Sequence, residues 1–399
     1  MSSAAEAIAE AHRSDWARIV AGLIRMTGDW ALAEDATGDA FATALVRWEA
    51  DGTPPNPAAW LAVTARNRAI DLLRRAANER TKLAVAALGD DAAADEDDRL
   101  RLIFTCCHPA LDLPAQVALT LRTVAGLEVA DIARAFLVSE PTMAQRLVRA
   151  RRKITNAAIP YQVPPPELLE PRLTGVLAVI YLVFNQGYST AADTALASTA
   201  IGLARQLVEL MPTESEARGL LALLMLQHSR RYARLGPAGE LLTIEEQDRR
   251  RWRRSEIARA GHELRATRGR GPYVLQAAIA EVHATAQTAA RTRWDRVVDL
   301  YDELLAIAPS PVVELNRAIA VGMRDGPDAG LALLDELAPR LPTFWLLPAA
   351  QADLLVRARR PEDAARRYRA AVELTVSPAE RAALERRLAL TALEPSARR

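Results

Sequence analysis

The chain has 399 residues, of which half are hydrophobic and 25% are charged, a composition typical of a globular protein long enough for two or three domains. Its formal net charge is only +1, so any argument for nucleic-acid binding must be local. The two cysteines, Cys106 and Cys107, are adjacent and cannot link distant segments, which favours a reducing compartment. No signal segment is visible, and the longest apolar run, residues 173–184, is too short to span a bilayer. These features predict a cytoplasmic protein.

Helical patterns run through almost the whole chain, with Ala, Leu and Arg dominant and prolines between the periodic segments. The predicted fold class is therefore all-α. Residues 60–82 carry a net charge of +4, whereas residues 83–100 carry a net charge of −5. The acidic stretch, rich in Ala and Asp, indicates a flexible linker. The Pro-rich stretch at 159–167 indicates a second, extended linker. The predicted division is a small helical domain at 1–83, an acidic linker at 84–98, a second small domain at 99–157, a linker at 158–167 and a larger helical-repeat domain at 168–395.

The segment at 30–48 predicts an acidic helix whose apolar stripe is formed by Phe41, Leu45 and Trp48. Its carboxylates cluster near the start, where the helix dipole favours them regardless of function. The functional interpretation is a docking face for a basic protein partner, formed by Glu34, Asp35 and Asp39.

A basic helix is predicted at 56–80, after the Pro-rich loop "DGTPPNP", with a buried stripe of Val63, Ile70 and Leu73. Trp60, at the loop–helix junction, is either a core residue or a stacking platform for an unpaired base. The polar residues around the stripe are Arg66, Asn67, Asp71, Arg74 and Arg75.

Residues 114–154 predict a helix-turn-helix. Pro114 opens a first helix, and Gly126 ends it by tolerating positive φ. A second helix spans roughly residues 129–136. Ser139 caps the third helix, and Pro141 is tolerated in its first turn.

The third helix has an apolar face of Met143, Leu147, Ala150 and Ile154, at i, i+4, i+7 and i+11. The rest of its surface carries short polar groups at the N-terminal end and cations further along, the arrangement that a helix needs to read bases and hold phosphates in a major groove. A solvated basic face is the alternative. The predicted DNA-binding residues of this helix are Glu140, Thr142, Gln145, Arg146, Arg149, Arg152 and Lys153.

The motifs "AEDATGDAF", "NPAAWLAVTARNRAIDLLRR" and "LVSEPTMAQRLVRARRKI", in this order, resemble the bacterial RNA polymerase sigma factors of the extracytoplasmic-function (ECF) type. Further motifs, "LIFTCCHPAL", "YLVFNQGYS", "EEQDRRRW" and "GPYVLQAAIAEVHA", resemble the subgroup with a long C-terminal tetratricopeptide-like extension. The chain departs from the common pattern at Gly38 in the docking helix. Pro141 and Ala144 replace the usual residues of the recognition helix, so a promoter preference does not carry over.

The resemblance implies that the first domain binds core RNA polymerase and melts the promoter, while the second reads the upstream promoter element. The implied partners are the bacterial RNA polymerase core enzyme and promoter DNA. By the same resemblance, the residues of the basic helix form the promoter-proximal recognition surface, and Glu34, Asp35 and Asp39 dock on the polymerase clamp. Two alternatives are a helix-turn-helix regulator with a repeat sensor domain and a repeat scaffold for protein binding.

The region from residue 168 predicts stacked helix pairs, because "YDELLAIAP" and "YRAAVELTVSP" share a spacing of Tyr, aliphatic residue and helix-ending Pro. A non-repetitive α-helical domain is the alternative. A candidate groove for a protein or small-molecule partner is formed by Glu245, Glu246, Asp248 and Trp252, with a salt-bridged surface as the alternative. Cys106, Cys107 and His108 are too close in sequence to wrap one metal ion. No catalytic motif is recognisable, so we expect no metal, no cofactor and no enzymatic activity.

Overall fold

The computed structural model describes residues 4–76, 96–136, 138–189, 194–236, 240–375 and 378–393. Within these ranges the chain consists of helices and loops, and the β pairing is limited to an isolated bridge between Leu235 and Leu241. The predicted all-α class is confirmed. The chain divides into two compact units, Met1–Pro212 and Thr213–Arg399. Most of the predicted acidic linker lies outside the described residues.

The first unit begins with three mutually packed helices, α1 (Ala4–Thr27), α2 (Trp30–Asp51) and α3 (Pro57–Ala76). Gly28 has a φ of 68° and turns the chain between α1 and α2. Asp29 then caps α2, because its carboxylate accepts hydrogen bonds from the backbone N–H groups of Ala31 and Leu32.

The predicted apolar stripes of α2 and α3 are partly wrong. Leu45 and Val63 are each 54% exposed. On α2, Phe41 and Trp48 are buried together with a row of alanines, and on α3 the buried residues are Leu61, Ala65 and Ala69. The small side chains face the neighbouring helices because they let the helix axes approach closely, and this displaces the larger aliphatic residues to the outside.

Four further helices form the second predicted domain: α4 (Glu96–Cys106), α5 (Leu113–Leu119, continued by a π-helical turn at Thr120–Val124), α6 (Val129–Ala135) and α7 (Glu140–Asn156). Gly126 ends the π-helical turn with a φ of 71°. Ser139 accepts a 3.4 Å hydrogen bond from the N–H of Thr142 at the start of α7. The helix-turn-helix elements are therefore confirmed, as is the buried face of α7 formed by Met143, Leu147, Ala150 and Ile154.

The observed division of the chain differs from the predicted one. The helices α8 (Pro166–Ser189) and α9 (Thr194–Leu210) belong to the first unit, since they pack against each other and against α4, and α8 also packs on α5. The Pro-rich stretch at 159–167 is thus an ordered connection inside the unit, where the Tyr161 hydroxyl donates a hydrogen bond to the carbonyl of Asp98 or Ala21, at 3.2 and 3.3 Å. The apolar run at 173–184 is buried, as predicted, and no described helix is long and apolar enough to cross a membrane.

The second unit is a succession of helices in which sequence neighbours pack pairwise. Close crossings are possible because of glycines: a Cβ atom on Gly330 would lie 2.8 Å from the Cα of Gly322 in the preceding helix. Its helices are α10 (Ser215–His228), α11 (Arg254–Ala266), α12 (Pro272–Thr285), α13 (Trp294–Ile307), α14 (Pro311–Asp325), α15 (Pro327–Leu337), α16 (Leu346–Arg357), α17 (Pro361–Leu374) and α18 (Pro378–Leu393). Paired helices were predicted here; their tetratricopeptide-like character stays a prediction.

Candidate nucleic-acid and protein interfaces

The polar face of α7 is presented to solvent along its whole length. Arg146 is the partly buried member, with its guanidinium 5.4 Å from the ring centroid of Phe136 at the end of α6. This stacking contact fixes one cation near the start of α7 while leaving its donors free to reach outward. The exposed residues of this face are Glu140, Thr142, Gln145, Arg149, Arg152 and Lys153.

A second polar face lies on α3. Asn67, Asp71, Arg74 and Arg75 are all exposed at helical spacing, and Arg66 is half-buried. The carboxylate of Asp71 lies 4.0 Å from the guanidinium of Arg74. Trp60 contacts Trp48 edge to face, with ring centroids 5.5 Å apart, and keeps a partly exposed surface. Each basic helix thus has one buried face and one exposed face that fits a phosphate backbone.

The three predicted docking carboxylates do not share one exposed face. Asp35 is exposed, whereas Asp39 forms a 2.5 Å ion pair with Arg68 on α3. Glu34 is only 2% exposed.

The carboxylate of Glu34 is covered by the helix-turn-helix domain. Its Oε2 lies 3.0 Å from Nε of Arg122 and 2.6 Å from Nη2 of Arg151. Its Oε1 accepts a 2.8 Å hydrogen bond from the hydroxyl of Thr123. One buried carboxylate therefore holds two guanidinium groups from the π-helical turn and from α7, and we call these contacts the Glu34 clamp.

Sequence reasoning missed both arginines of the clamp. Arg151 directly follows Ala150 of the buried face of α7, so its side chain leaves the helix at the edge of that face. A helical wheel gives this position but not its partner, because Glu34 is 117 residues away. Arg122 carries no local signal at all.

The two N-terminal domains make further contacts besides the clamp. A Cβ atom on Gly126 would lie 2.8 Å from the rings of His12 and Trp16, so only glycine allows this approach to α1. The indole of Trp16 donates a 3.1 Å hydrogen bond to the carbonyl of Thr123. Asp98 on α4 is fully buried and pairs with Arg25 and Arg101 at 2.9 and 2.8 Å.

Both cysteines are buried at the end of α4. Burial, the neighbouring Cys107 and the Glu34 carboxylate raise the pKa of the Cys106 thiol. Burial also raises the pKa of Cys107 to about 12, although the hydrogen bond with Thr120 acts in the opposite direction and lowers it. Thiols held neutral in this way are unreactive. In the described part of the chain no group of three or more His, Cys, Asp or Glu residues is placed to hold a metal ion.

The predicted groove residues of the second unit are split between two places. Glu245 and Glu246 line a groove of about 480 Å³, where they pair with Arg357 and Arg386 respectively. Its apolar lining includes Trp294, Ile319, Met323, Leu354 and Leu390.

Asp248 and Trp252 lie apart from the lining of this groove. Asp248 caps a short 3₁₀ turn at Arg249–Arg251 and pairs with Arg250 at 3.1 Å. Trp252 is buried, and the guanidinium of Arg249 lies 4.5 Å from its ring centroid. A single groove formed by all four predicted residues is therefore not observed.

Comparison with known families matches both N-terminal domains. Residues 9–79 match the family described as sigma-70 region 2, and residues 101–154 match sigma-70, region 4. The chain belongs to the sigma-70 family. It is an ECF-like sigma factor with a C-terminal extension, and residues 172–268 match a family of unknown function, DUF6596.

A protein of Rhizobium meliloti (strain 1021) that is named as uncharacterized is 41% identical to this sigma factor over 394 residues. The match covers 94% of this chain and 93% of the relative. No solved structure matches the chain. The predicted sigma-factor function is confirmed by the two regions, and the alternatives of a helix-turn-helix regulator and a repeat scaffold are not favoured.

Proposed function

We propose that this sigma factor reads its promoters with the exposed faces of α3 and α7. The observation that carries the proposal is α7, which begins at a Ser139 cap and presents Thr142, Gln145 and Arg149 while its apolar face is buried. Short polar side chains near the N-terminal end suit base edges, and cations further along suit phosphates. The α3 face supplies the promoter-proximal contacts, as its resemblance to sigma region 2 implies.

Run-off transcription tests this assignment. The purified chain with bacterial core polymerase should give specific transcripts from DNA upstream of its own gene. The predicted contacts should appear as protected positions in footprints of the complex, and Asn67→Ala or Gln145→Ala should remove some of them. Tight DNA binding without core enzyme, together with no initiation in its presence, would instead support a regulator of the helix-turn-helix class.

We further propose that the Glu34 clamp is a resting arrangement of the sigma factor. The resemblance makes Glu34 a docking residue for the polymerase clamp, yet its carboxylate is buried against Arg122 and Arg151. Docking through Glu34 therefore requires the helix-turn-helix domain to release α2. The interdomain contacts around the clamp would be exchanged for contacts with core enzyme.

The C-terminal extension is proposed to be a regulatory or protein-interaction module. Sigma-factor families act as non-catalytic transcription factors, and the charged and apolar lining of the 480 Å³ groove suits a bound partner. A sigma factor works where core polymerase is, so we assign the protein to the cytoplasm. The double variant Glu245→Gln with Glu246→Gln should change promoter output if the groove binds a regulatory partner. Unchanged output would mean that the two carboxylates only form surface ion pairs with Arg357 and Arg386.

A further inference from the structure

An unusually basic surface lies on the second unit, outside the two sigma domains. Two short segments, residues 230–231 and 249–254, place seven arginines beside each other, because the 3₁₀ turns at Arg231–Ala233 and Arg249–Arg251 are in contact. We call this surface the arginine patch: Arg230, Arg231, Arg249, Arg250, Arg251, Arg253 and Arg254.

The carboxylates near the patch are already engaged. Asp248 pairs with Arg250, while Glu256 binds Arg231 and His228, each at 3.0 Å. Glu245 and Glu246, which precede the patch, pair with arginines of α16 and α18. Among the described residues, Arg230, Arg253 and Arg254 have no carboxylate partner.

An exposed aromatic ring organises the patch. Tyr232 is 48% exposed, and the guanidinium groups of Arg231 and Arg253 lie 4.4 and 5.3 Å from its ring centroid. Arg249 acts as an anchor, since it donates hydrogen bonds of 2.6 and 2.9 Å to the carbonyls of His283 and Ala286 at the end of α12. Arg231 is also mostly buried, against Glu256, and Arg230 is half-buried, so the exposed cations are Arg250, Arg251, Arg253 and Arg254.

Arg231 and Arg249 stabilise the fold through their contacts, but the other arginines of the patch add like charge around them. Partial burial, then the charges of Arg254 and Arg230, lower the pKa of Arg249. His283, just beneath, has a pKa lowered to about 4 by burial and by Arg230 and Arg249. Arg254 occupies the first turn of α11, where the helix dipole opposes a cation. A bound polyanion would relieve this mutual repulsion.

We propose that the arginine patch is a contact surface for the phosphate backbone of duplex DNA. Guanidinium groups match phosphates in charge and geometry. The exposed aromatic side chain that contacts the patch is Tyr232. A protein partner would have to bring several carboxylates together to match these cations, whereas a DNA strand presents a phosphate about every 3.4 Å. An anionic lipid surface would need an apolar helix face. The exposed start of α11 offers Arg254, Ser255 and Ala258 instead. The patch adds affinity without sequence preference, because phosphates carry no sequence information.

The salt dependence of DNA binding tests this proposal in the full-length chain. The probe is a short duplex of non-promoter sequence, titrated by fluorescence anisotropy at several salt concentrations. Each lost phosphate contact reduces the slope of log K against log[salt] by about 0.9, so Arg230→Gln with Arg254→Gln should reduce it by about 1.8. The matched control is Arg367→Gln with Arg369→Gln, two exposed arginines of α17 that remove the same charge and should leave the slope unchanged.

A charge-conserving variant and a lipid-binding measurement serve as controls. Arg230→Lys with Arg254→Lys keeps both charges and should keep most of the slope, which separates lost phosphate contacts from a disturbed fold. Binding to phosphatidylserine vesicles is measured with the same variants. The proposal is overturned if the patch variant keeps the wild-type slope on DNA, or if it loses vesicle binding while DNA binding is unchanged. Because promoter-specific transcription is not the readout, the patch can fail while the sigma function stands.

Discussion

Glu34 makes three polar contacts with the helix-turn-helix domain, to Arg122, Thr123 and Arg151. Glu34→Gln removes the negative charge between Arg122 and Arg151. The poorly exposed guanidinium of Arg151 then loses its carboxylate partner, while Arg122 keeps only the exposed carboxylate of Glu128 at 3.3 Å. Removing one partner of a buried ion pair costs about 3 kcal/mol or more. We therefore expect a lower urea midpoint for the unit that contains residues 4–212. Asp35→Asn is the matched control, because Asp35 is exposed on the same helix turn and its change should stay within about 0.5 kcal/mol.

Thiol reactivity gives a second measurement at the same clamp. The chain has only two cysteines, both buried, and Cys106 lies close enough to Glu34 for that carboxylate to raise its thiol pKa. Native protein should react slowly with an aromatic disulfide reagent at mildly alkaline pH, because the raised pKa keeps the thiolate population small. Arg151→Met removes one arginine of the clamp but keeps the Glu34 charge that raises the Cys106 pKa, so it should speed the reaction only if the clamp holds the domains together. Equal rates for the variant, the wild type and Asp35→Asn would argue against the clamp.

The sequence predicted the chemistry of individual residues better than their partners. Its choice of Ser139 as a cap is confirmed, whereas its choice of Glu34 as a docking carboxylate stays a prediction. A cap bonds to the next turn of its own helix, so its partner is local. The partners of Glu34 are 88 and 117 residues away, and no pattern in one chain indicates which distant arginine fills a carboxylate pocket.

At the scale of elements, α7 allows a direct separation of base and phosphate contacts. Arg149 is exposed in the middle of the helix, whereas Arg146 is held by Phe136 near its start. Arg149→Ala should weaken binding to all sequences and flatten the salt slope by about one unit. Arg146→Ala should relax discrimination at one base pair by about 1–3 kcal/mol. Binding of a promoter and its single-base variants across a salt series measures both effects, and identical sequence profiles for the two variants would refute this division of roles.

The capping residue of α7 gives a second test of the same element. Ser139→Ala removes the hydroxyl that accepts from the N–H of Thr142, which should cost about 1 kcal/mol of stability. Ser139→Asp keeps an acceptor at the cap and should restore the stability. Both are measured by urea unfolding, with helix content followed by circular dichroism. A loss of stability shared by both variants would show that the cap is not the cause.

Helix existence and type followed from periodicity, while the buried faces of α2 and α3 did not. The prediction placed Leu45 and Val63 inside because large aliphatic residues dominate hydropathy patterns. The structure buries Ala40, Ala44, Ala65 and Ala69 instead, because close helix crossings select small side chains. α7 was predicted correctly because its apolar residues are large and the opposite face is charged, so both signals indicate the same orientation.

At the scale of the molecule, the predicted domain boundary was drawn at the Pro-rich stretch 159–167, where composition changes most. Prolines there stiffen a connection that packs, through Tyr161, against α1 and α4. Composition reports local backbone preference, but a unit boundary depends on which helices share a core. The helices α8 and α9 share theirs with α4, and the division falls at Pro212.

This division determines how the extension should be removed. A chain cut after Pro212 keeps α8 and α9 and should unfold cooperatively with near-native stability. A chain cut after Pro164 loses both helices and uncovers the apolar surfaces of α4 and α5, so its urea midpoint should be lower. Circular dichroism in urea compares the two. Equal midpoints would show that α8 and α9 are dispensable for the first unit.

The same pair of chains then tests the role of the second unit in transcription. If the extension is regulatory, the chain ending at Pro212 should change run-off output from the cognate promoter in either direction while it remains folded. The chain ending at Pro164 cannot answer this, because lost output there would mix regulation with damage to the sigma domains. Unchanged output and unchanged affinity for core polymerase in the longer truncation would contradict a regulatory role. Loss of only the salt-sensitive part of DNA binding would instead assign the extension's contribution to the arginine patch, since all seven of its arginines lie beyond Pro212.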